Sequence, residues 1–418
     1  MKQISVDILI IGGGPAGLAA AIEARRLGIE RVLLLERDTS LGGILQQCIH
    51  DGFGLERFGV RLSGGQYAQR FIDEFNTCGA ELMLDTMALE LTPDRTVWAC
   101  SREHGLCRID CGAVILAMGC RERTASQVLI TGSRPAGILT AGAVQRYINM
   151  SGYLPGKKAV ILGSGDIGLI MARRMTLEGI QVEGVYEAMP QPGGLTRNIV
   201  QCLHEFQIPL HLSTTVLSVH GRDRVTSVTT VQVDGKMEPI SGTEREVDCD
   251  LLVLAVGLIP ENELSRTAGV ELDGRTKGAV VDGNFMTSVP GVFSCGNVAV
   301  VFDLVDYVSD SGECAARGAV RYLTDAAGKQ TRCVDVSAGE NVNFCVPQRI
   351  AVGRDPEEVC VYLRVKKRME NAVLELVQGD KVLKRKPLPV AAPPEMITCT
   401  VPADIDGSSG IEIRVKER

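Results

Sequence analysis

The 418-residue chain has no CxxC pair among its fourteen cysteines, only five histidines, no surplus of basic residues and no apolar run long enough to span a bilayer. Each scarcity closes off a class of function. Scattered cysteines without a recognisable secretory leader point to reduced thiols in the cytoplasm rather than to a disulfide framework. The histidines never fall at ligand spacing from a cysteine or carboxylate, so the chain offers no structural metal or iron–sulfur site. A net charge of -7 opposes nucleic-acid binding, which needs a basic surface against the phosphates. The apolar start VDILII is too short to cross a membrane and runs directly into GGGPAG.

What is present is ordinary for a globular protein: 45% hydrophobic and 23% charged residues, with 46 glycines that imply many tight turns. The length calls for two or three domains with room for a large cofactor. Residues 6–36 read as strand, glycine turn, helix and second strand, with Gly12, Gly14 and Gly17 in a GxGxxG pattern. The first glycine permits the turn, the second lets backbone approach a pyrophosphate, and the third allows close helix–strand packing. Pro15 and Ala16 open the helix, whose N-terminus faces the anion. Glu36 ends the second strand, where a carboxylate can accept from ribose hydroxyls, and Arg37 follows it.

The unit recurs at residues 159–187 with Gly163, Gly165 and Gly168, Asp166 and Ile167 between them, and Glu187 at the second strand's end. An offset of 151 residues maps Gly12 to Gly163, Glu36 to Glu187 and the pair Gly42-Gly43 to Gly193-Gly194. Two motifs in one register indicate two dinucleotide sites. Glu187, with no arginine immediately after it, predicts preference for NADH over NADPH. Two further strands end in glycine: AVILAMG reaches Ala117 and Gly119, and LLVLAVGLIPEN passes through Gly257. A third, GVFSCGN, reaches Gly296-Asn297 ahead of a predicted helix. Residues 331–418 differ in character, with alternating apolar runs such as VCVYLRV and AVLELVQ broken by Pro and Gly, which predict a small β-sandwich. The basic runs RVKKR and KVLKRK there read as solvated strand faces or as a partner-docking surface.

In content and order, GGGPAG with Glu36, AMG, GSGDIG with Glu187, AVGLIP and GVFSCGN resemble the two-dinucleotide-domain flavoproteins of the pyridine nucleotide-disulphide oxidoreductase superfamily, over roughly residues 1–323. The runs RPAGILTAGAVQRYIN and CIHDGFG resemble the branch holding sarcosine, opine and hydrogen-cyanide-forming oxidoreductase subunits, and more closely the flavoproteins encoded beside a glycerol-3-phosphate-dehydrogenase-like protein. The resemblance implies FAD at Gly12, Gly14, Pro15, Ala16, Gly17, Glu36, Arg37, Gly43, Ala117, Gly119, Gly296, Asn297 and Val305. It implies NAD(H) at Gly163, Gly165, Asp166, Ile167, Gly168, Glu187 and Gly257. As partners it implies a substrate-dehydrogenase subunit, with a small iron–sulfur or cysteine-containing protein as a further one. Two positions depart from the family pattern: Met118 stands where threonine is common, and Asn297 where aspartate is common. Asparagine keeps an acceptor oxygen for a ribityl hydroxyl but loses the charge.

The implied fold is α/β: an FAD domain of residues 1–125 and 263–330, a crossover at 126–151, an inserted NAD(H) domain at 152–262 and a β-rich domain at 331–418. Cys48 and His50, in the loop after Gly42-Gly43, are the catalytic candidates. Disulfide reductases of this superfamily carry two cysteines in that loop, and this loop has one. Cys48 is thus either a packed residue beside the flavin or a thiol that cycles through a sulfenic acid. His50 either supplies a proton or is a hydrogen-bonded loop residue. Asp303, Asp306 and Tyr307 either approach the flavin edge or start the helix, where acids suit the macrodipole. Arg121, Arg123 and Arg197 are candidate anion contacts. The combined reading is an FAD-dependent oxidoreductase passing hydride between NAD(H) and flavin, with its other electrons exchanged through a partner protein. The rival readings are a stand-alone NADH-dependent reductase and a nucleotide-binding scaffold subunit.

Overall fold

The computed structural model describes residues 1–324, 333–352, 358–402, 405, 407 and 409–418. The chain divides into two compact units, one of Met1–Cys120 with Pro260–Arg418, the other of Arg121–Ile259. The expected boundary at residues 330–331 lies outside the described residues.

The first unit is built on a seven-stranded sheet. Strand Lys2–Ile11 pairs in parallel with Val32–Leu35 on one side and with Gly105–Leu116 on the other. The burial of Lys2–Ile11 rises from exposed at its start to four consecutive buried residues at its end, as a strand must when helices cover both faces. Strand Gly105–Leu116 splits its outer edge. Residues 105–110 pair antiparallel with Thr96–Ser101, whereas 114–116 pair in parallel with Val292–Ser294. That fork brings the late GVFSCGN segment beside the AMG turn. Helix Pro15–Arg26 starts with proline at its first turn and buries five alanines. Such small side chains let helix Val305–Thr324 cross closely, with Gly312 against Ala16: a Cβ at Gly312 would lie 2.2 Å from the Ala16 carbonyl oxygen.

The β-rich tail has two sheets and a core of its own. Leu374, Leu376, Ile413 and Val415 come from one sheet and Val361, Leu363, Cys399 and Val401 from the other. It nevertheless belongs to the first compact unit, to which polar and aromatic contacts tie it. The Met396 amide donates to Asp303 Oδ2 at 2.6 Å, the Val281 amide to Gln348 Oε1 at 3.0 Å, and Arg349 pairs with Glu271 at 2.8 Å. Tyr362 packs on Phe302 and Tyr307 with ring centroids 5.0 and 5.4 Å apart.

The second unit repeats the parallel theme with five strands in the order Ile138–Thr140, Leu251–Leu254, Lys158–Leu162, Gln181–Tyr186 and Leu210–His211. A second sheet of four strands, from Thr131–Gly132 to Arg245–Asp248, accompanies it. Among the described residues, no helix is long and apolar enough to cross a membrane, and no cluster of His, Cys, Asp or Glu could hold a metal.

Candidate nucleotide sites

In both units the strand-to-helix turn is shaped by close backbone contacts. Gly12 has φ +112 and Gly163 φ +104, conformations that L side chains avoid. A Cβ on Gly12 would lie 2.4 Å from the Ala117 carbonyl oxygen, and one on Gly163 2.2 Å from that of Ala255. A Cβ on Gly17 would stand 1.8 Å from the Gly12 oxygen, and one on Gly168 2.3 Å from the Gly163 oxygen. Above the middle glycines the situation reverses: nothing lies within 4 Å of a Cβ built on Gly14 or Gly165. Each turn therefore leaves bare backbone at a helix N-terminus, which fits a pyrophosphate. Gly43 closes toward the first turn, its built Cβ 3.2 Å from Gly14 Cα.

The terminal acids take up positions that correspond in detail. Glu36 Oε2 accepts from the Gly13 amide and Oε1 from the Asp38 amide, both at 2.7 Å. Glu187 Oε2 accepts from the Ser164 amide at 3.0 Å and from Ser164 Oγ at 2.7 Å, while Oε1 accepts from the Met189 amide at 3.0 Å. Both carboxylates brace their own turns, with acceptor capacity left on both oxygens of Glu36 and on Oε1 of Glu187. Sequence reading expected a ribose role for these acids and missed the bracing one that the structure shows. Ser164 was missed with it: its hydroxyl also accepts from the Gly193 amide at 2.8 Å. Asp166 Oδ1 is likewise engaged, accepting from the Leu195 amide at 2.9 Å and from Asn198 Nδ2 at 2.6 Å. Pro15 and Ile167 lie partly buried at the starts of their helices, and Arg37 is exposed.

Around the first turn, Ala117 is buried and hydrogen-bonded to Ile11, and Gly119 is open, with φ +73. The Gly296 amide donates to Ser311 Oγ at 2.8 Å, and a Cβ there would lie 2.9 Å from Ala16 Cβ. Gly12, Gly17, Ala117 and Gly296 are thus brought together around one turn. Asn297 Oδ1 accepts from the Phe302 amide at 3.0 Å, bracing the loop that leads to Val305 at the start of the long helix. The first amides of that helix have no intrahelical acceptor, which leaves a donor-rich end. Gly312 was also missed; an isolated glycine in an amphipathic helix was its only signal.

Cys48 is buried, its Sγ lies 3.4 Å from the Ile44 carbonyl, and burial pushes its thiol up to about 11. Its backbone abuts Gly64, where a Cβ would stand 2.5 Å from Cys48 Cβ. A protonated, enclosed thiol is a poor nucleophile. His50 is partly buried and packs on Phe53 at 5.1 Å. Asp303 holds the tail, and Tyr307 packs against Phe302 and Tyr362. Asp306 is buried beside the Tyr67–Ser309 hydroxyl pair, and burial raises its carboxyl above the usual range. In the second unit, Gly257 has φ +99 and its carbonyl accepts from the Arg123 amide, while the side chains of Arg121, Arg123 and Arg197 are exposed.

The family described as pyridine nucleotide-disulphide oxidoreductase matches residues 6–320. The hydrogen cyanide synthase subunit HcnB of Pseudomonas aeruginosa is 27% identical over 280 residues, 63% of this chain and 59% of that subunit. An opine oxidase subunit of Agrobacterium tumefaciens is 25% identical, covering 70% of this chain and 61% of the relative. The chain thus spans about three fifths of the length of these subunits. Among solved structures, the thioredoxin reductase of T. acidophilum superposes with a TM-score of 0.61 at 23% identity, over 75% of this chain and 97% of the other. That likeness establishes the two-dinucleotide-domain fold.

Proposed function

Because the chain belongs to the pyridine nucleotide-disulphide oxidoreductase family, we propose that it passes hydride between NAD(H) and FAD as the electron-transfer subunit of a multi-subunit dehydrogenase. The observation that carries this reading is the duplicated turn. At both Gly14 and Gly165 the backbone is bare, and at both a strand-end carboxylate braces the glycine loop. When bound, the nicotinamide and flavin rings supply the hydride chemistry themselves. The chain's part is to hold and orient. Gly14 and Gly165 receive pyrophosphates through amides; Glu36 and Glu187 accept from ribose hydroxyls; the helix start at Val305 favours negative charge. Glu187 disfavours a 2′-phosphate, so NADH is the preferred nucleotide.

The subunit role draws support from relatives whose names are those of subunits, in hydrogen cyanide synthase and in opine oxidase. It is also supported by the lone, enclosed Cys48, which lacks a neighbouring sulfur in its loop for dithiol exchange. Two measurements test the proposal. Acid precipitation of the purified protein should release FAD, and anaerobic mixing with NADH should bleach the flavin absorbance faster than NADPH does. A protein that cannot be reconstituted with FAD, or a flavin that NADH leaves oxidised, would sink the redox reading. Recovery of no stable partner after co-expression with neighbouring genes, together with efficient turnover of a small substrate by the isolated chain, would favour the stand-alone reductase.

A further inference from the structure

The second unit contains a cleft of about 310 Å³ that neither glycine motif accounts for. It lies along residues 124–140, beside Val219 and Leu254. Its apolar wall comes from Ile130, Ile138, Leu139, Val219 and Leu254, and its only charged lining residue is Arg134. Among the described residues the Arg134 side chain makes no hydrogen bond or ion pair, so its fork of donors is uncommitted. The hydroxyls around it fall into two kinds. Thr131 Oγ1 donates to the Leu217 carbonyl at 2.9 Å and Ser133 Oγ to the Val219 carbonyl at 3.1 Å, so each presents lone pairs to the cleft. Thr140, by contrast, precedes helix Ala141–Asn149 without capping it, and its hydroxyl has no partner among the described residues.

We propose that this cleft binds a small aliphatic monocarboxylate carrying a neighbouring hydrogen-bond donor, such as a hydroxyl or ammonium group. Arg134 takes the carboxylate through its planar fork, Thr140 donates a further hydrogen bond to it, and the Thr131 and Ser133 oxygens accept from the ligand's donor. The apolar wall covers the aliphatic part. The charge state follows from the neighbourhood. One arginine lines the cleft, and the adjoining helix start is already taken by Glu122, whose Oε1 accepts from the Gly142 amide at 2.8 Å. A second negative charge on the ligand would find no second cation in the lining, so a phosphate dianion is disfavoured. The site shares strand Leu251–Leu254 with the second glycine turn, but no residue of either glycine motif lines it.

The test is titration calorimetry on the full-length protein with four probes: 2-hydroxyisobutyrate, isobutyrate, 2-hydroxyisobutyramide and inorganic phosphate. The hydroxy acid should bind, with isobutyrate weaker by severalfold and the neutral amide weaker by about tenfold or more, as loss of a charge-assisted pair requires. Arg134→Gln should weaken the hydroxy acid by about tenfold, Arg134→Lys by less, and Thr140→Val by severalfold. Arg134 is exposed, so its variants should melt with the parent protein. Equal binding of the acid and its amide, tighter binding of phosphate, or an Arg134→Gln variant that binds like the parent protein would each overturn the proposal.

Discussion

The two glycine turns follow one plan, yet they are reinforced differently. In the first, position 13 is glycine and Glu36 reaches only backbone amides, inside a wall that leaves the acid 8% exposed. In the second, the equivalent position is Ser164, whose hydroxyl links Glu187 to the Gly193 amide, and the acid is more open. At the next divergence Pro15, without an amide hydrogen, is replaced by Asp166, which ties down Leu195 and Asn198. The first turn is thus braced by a buried carboxylate alone, and the second by a more open carboxylate with further side-chain hydrogen bonds through Ser164 and Asp166. A buried brace suits a nucleotide that stays, whereas an open, polar one suits a nucleotide that exchanges with solvent. That distinction agrees with the proposed roles of bound FAD and exchanging NADH.

The most disruptive way to probe this comparison is to add a methyl group where no space exists. Gly17→Ala and Gly168→Ala place a Cβ 1.8 and 2.3 Å from a carbonyl oxygen, so each should cost about 3 kcal/mol or more, Gly17→Ala the larger. Gly14→Ala and Gly165→Ala enter open space and should leave stability within about 0.5 kcal/mol. They should instead lower FAD content and NADH affinity, respectively. Urea unfolding alongside flavin content and nucleotide titration would separate the two kinds of effect. Full retention of flavin in Gly14→Ala would remove that turn from the FAD assignment.

Exchanging the acids should have an intermediate effect. Glu36→Ala strands the buried Gly13 amide and should cost about 2 kcal/mol, with loss of FAD. Glu187 is itself more open than Glu36, so water can enter the space its carboxylate leaves, and Glu187→Ala should cost about 1 kcal/mol, while narrowing the preference for NADH over NADPH. Equal stability losses in the two variants would show that burial does not distinguish the turns.

The smallest effect is expected at Cys48. Adding 151 to its number gives Ile199, which packs against the core of the second unit. If Cys48 is the analogous packing residue, Cys48→Ser should leave NADH-to-flavin reduction within about tenfold, or about 1.4 kcal/mol of barrier. With the thiol pushed up to about 11, deprotonation comes only near that pH, so iodoacetamide labelling of Cys48 should stay slow from pH 7 to 9. Rapid labelling at pH 7, followed by mass spectrometry at this residue, would restore a sulfenic-acid role.

How much was legible depended on whether a residue's partners were near in sequence or only in space. Gly12, Gly14, Gly17 and their counterparts were readable because a turn of this kind is a local backbone requirement. The β-rich character of the tail was readable from alternation in strands such as Met369–Gln378. Ser164, Gly312 and the cleft at Arg134 were not. Ser164 matters through Glu187 and Gly193, Gly312 through Ala16, and Arg134 through strands more than eighty residues away.

By itself, the sequence determined the two nucleotide-binding turns, their common register, the strand-end acids and the absence of a second cysteine beside Cys48. These are local patterns, set by which residues tolerate a tight turn, bear a carboxylate or carry sulfur. Only the tertiary structure decided that the tail joins the first compact unit, through Asp303, Val281 and Tyr362. It likewise decided that Glu36 lies buried while Glu187 stays open, and that Cys48 is enclosed. The physical reason is desolvation: whether a carboxylate or thiol is charged, braced or reactive depends on what surrounds it, and those surroundings come from segments far apart in the chain.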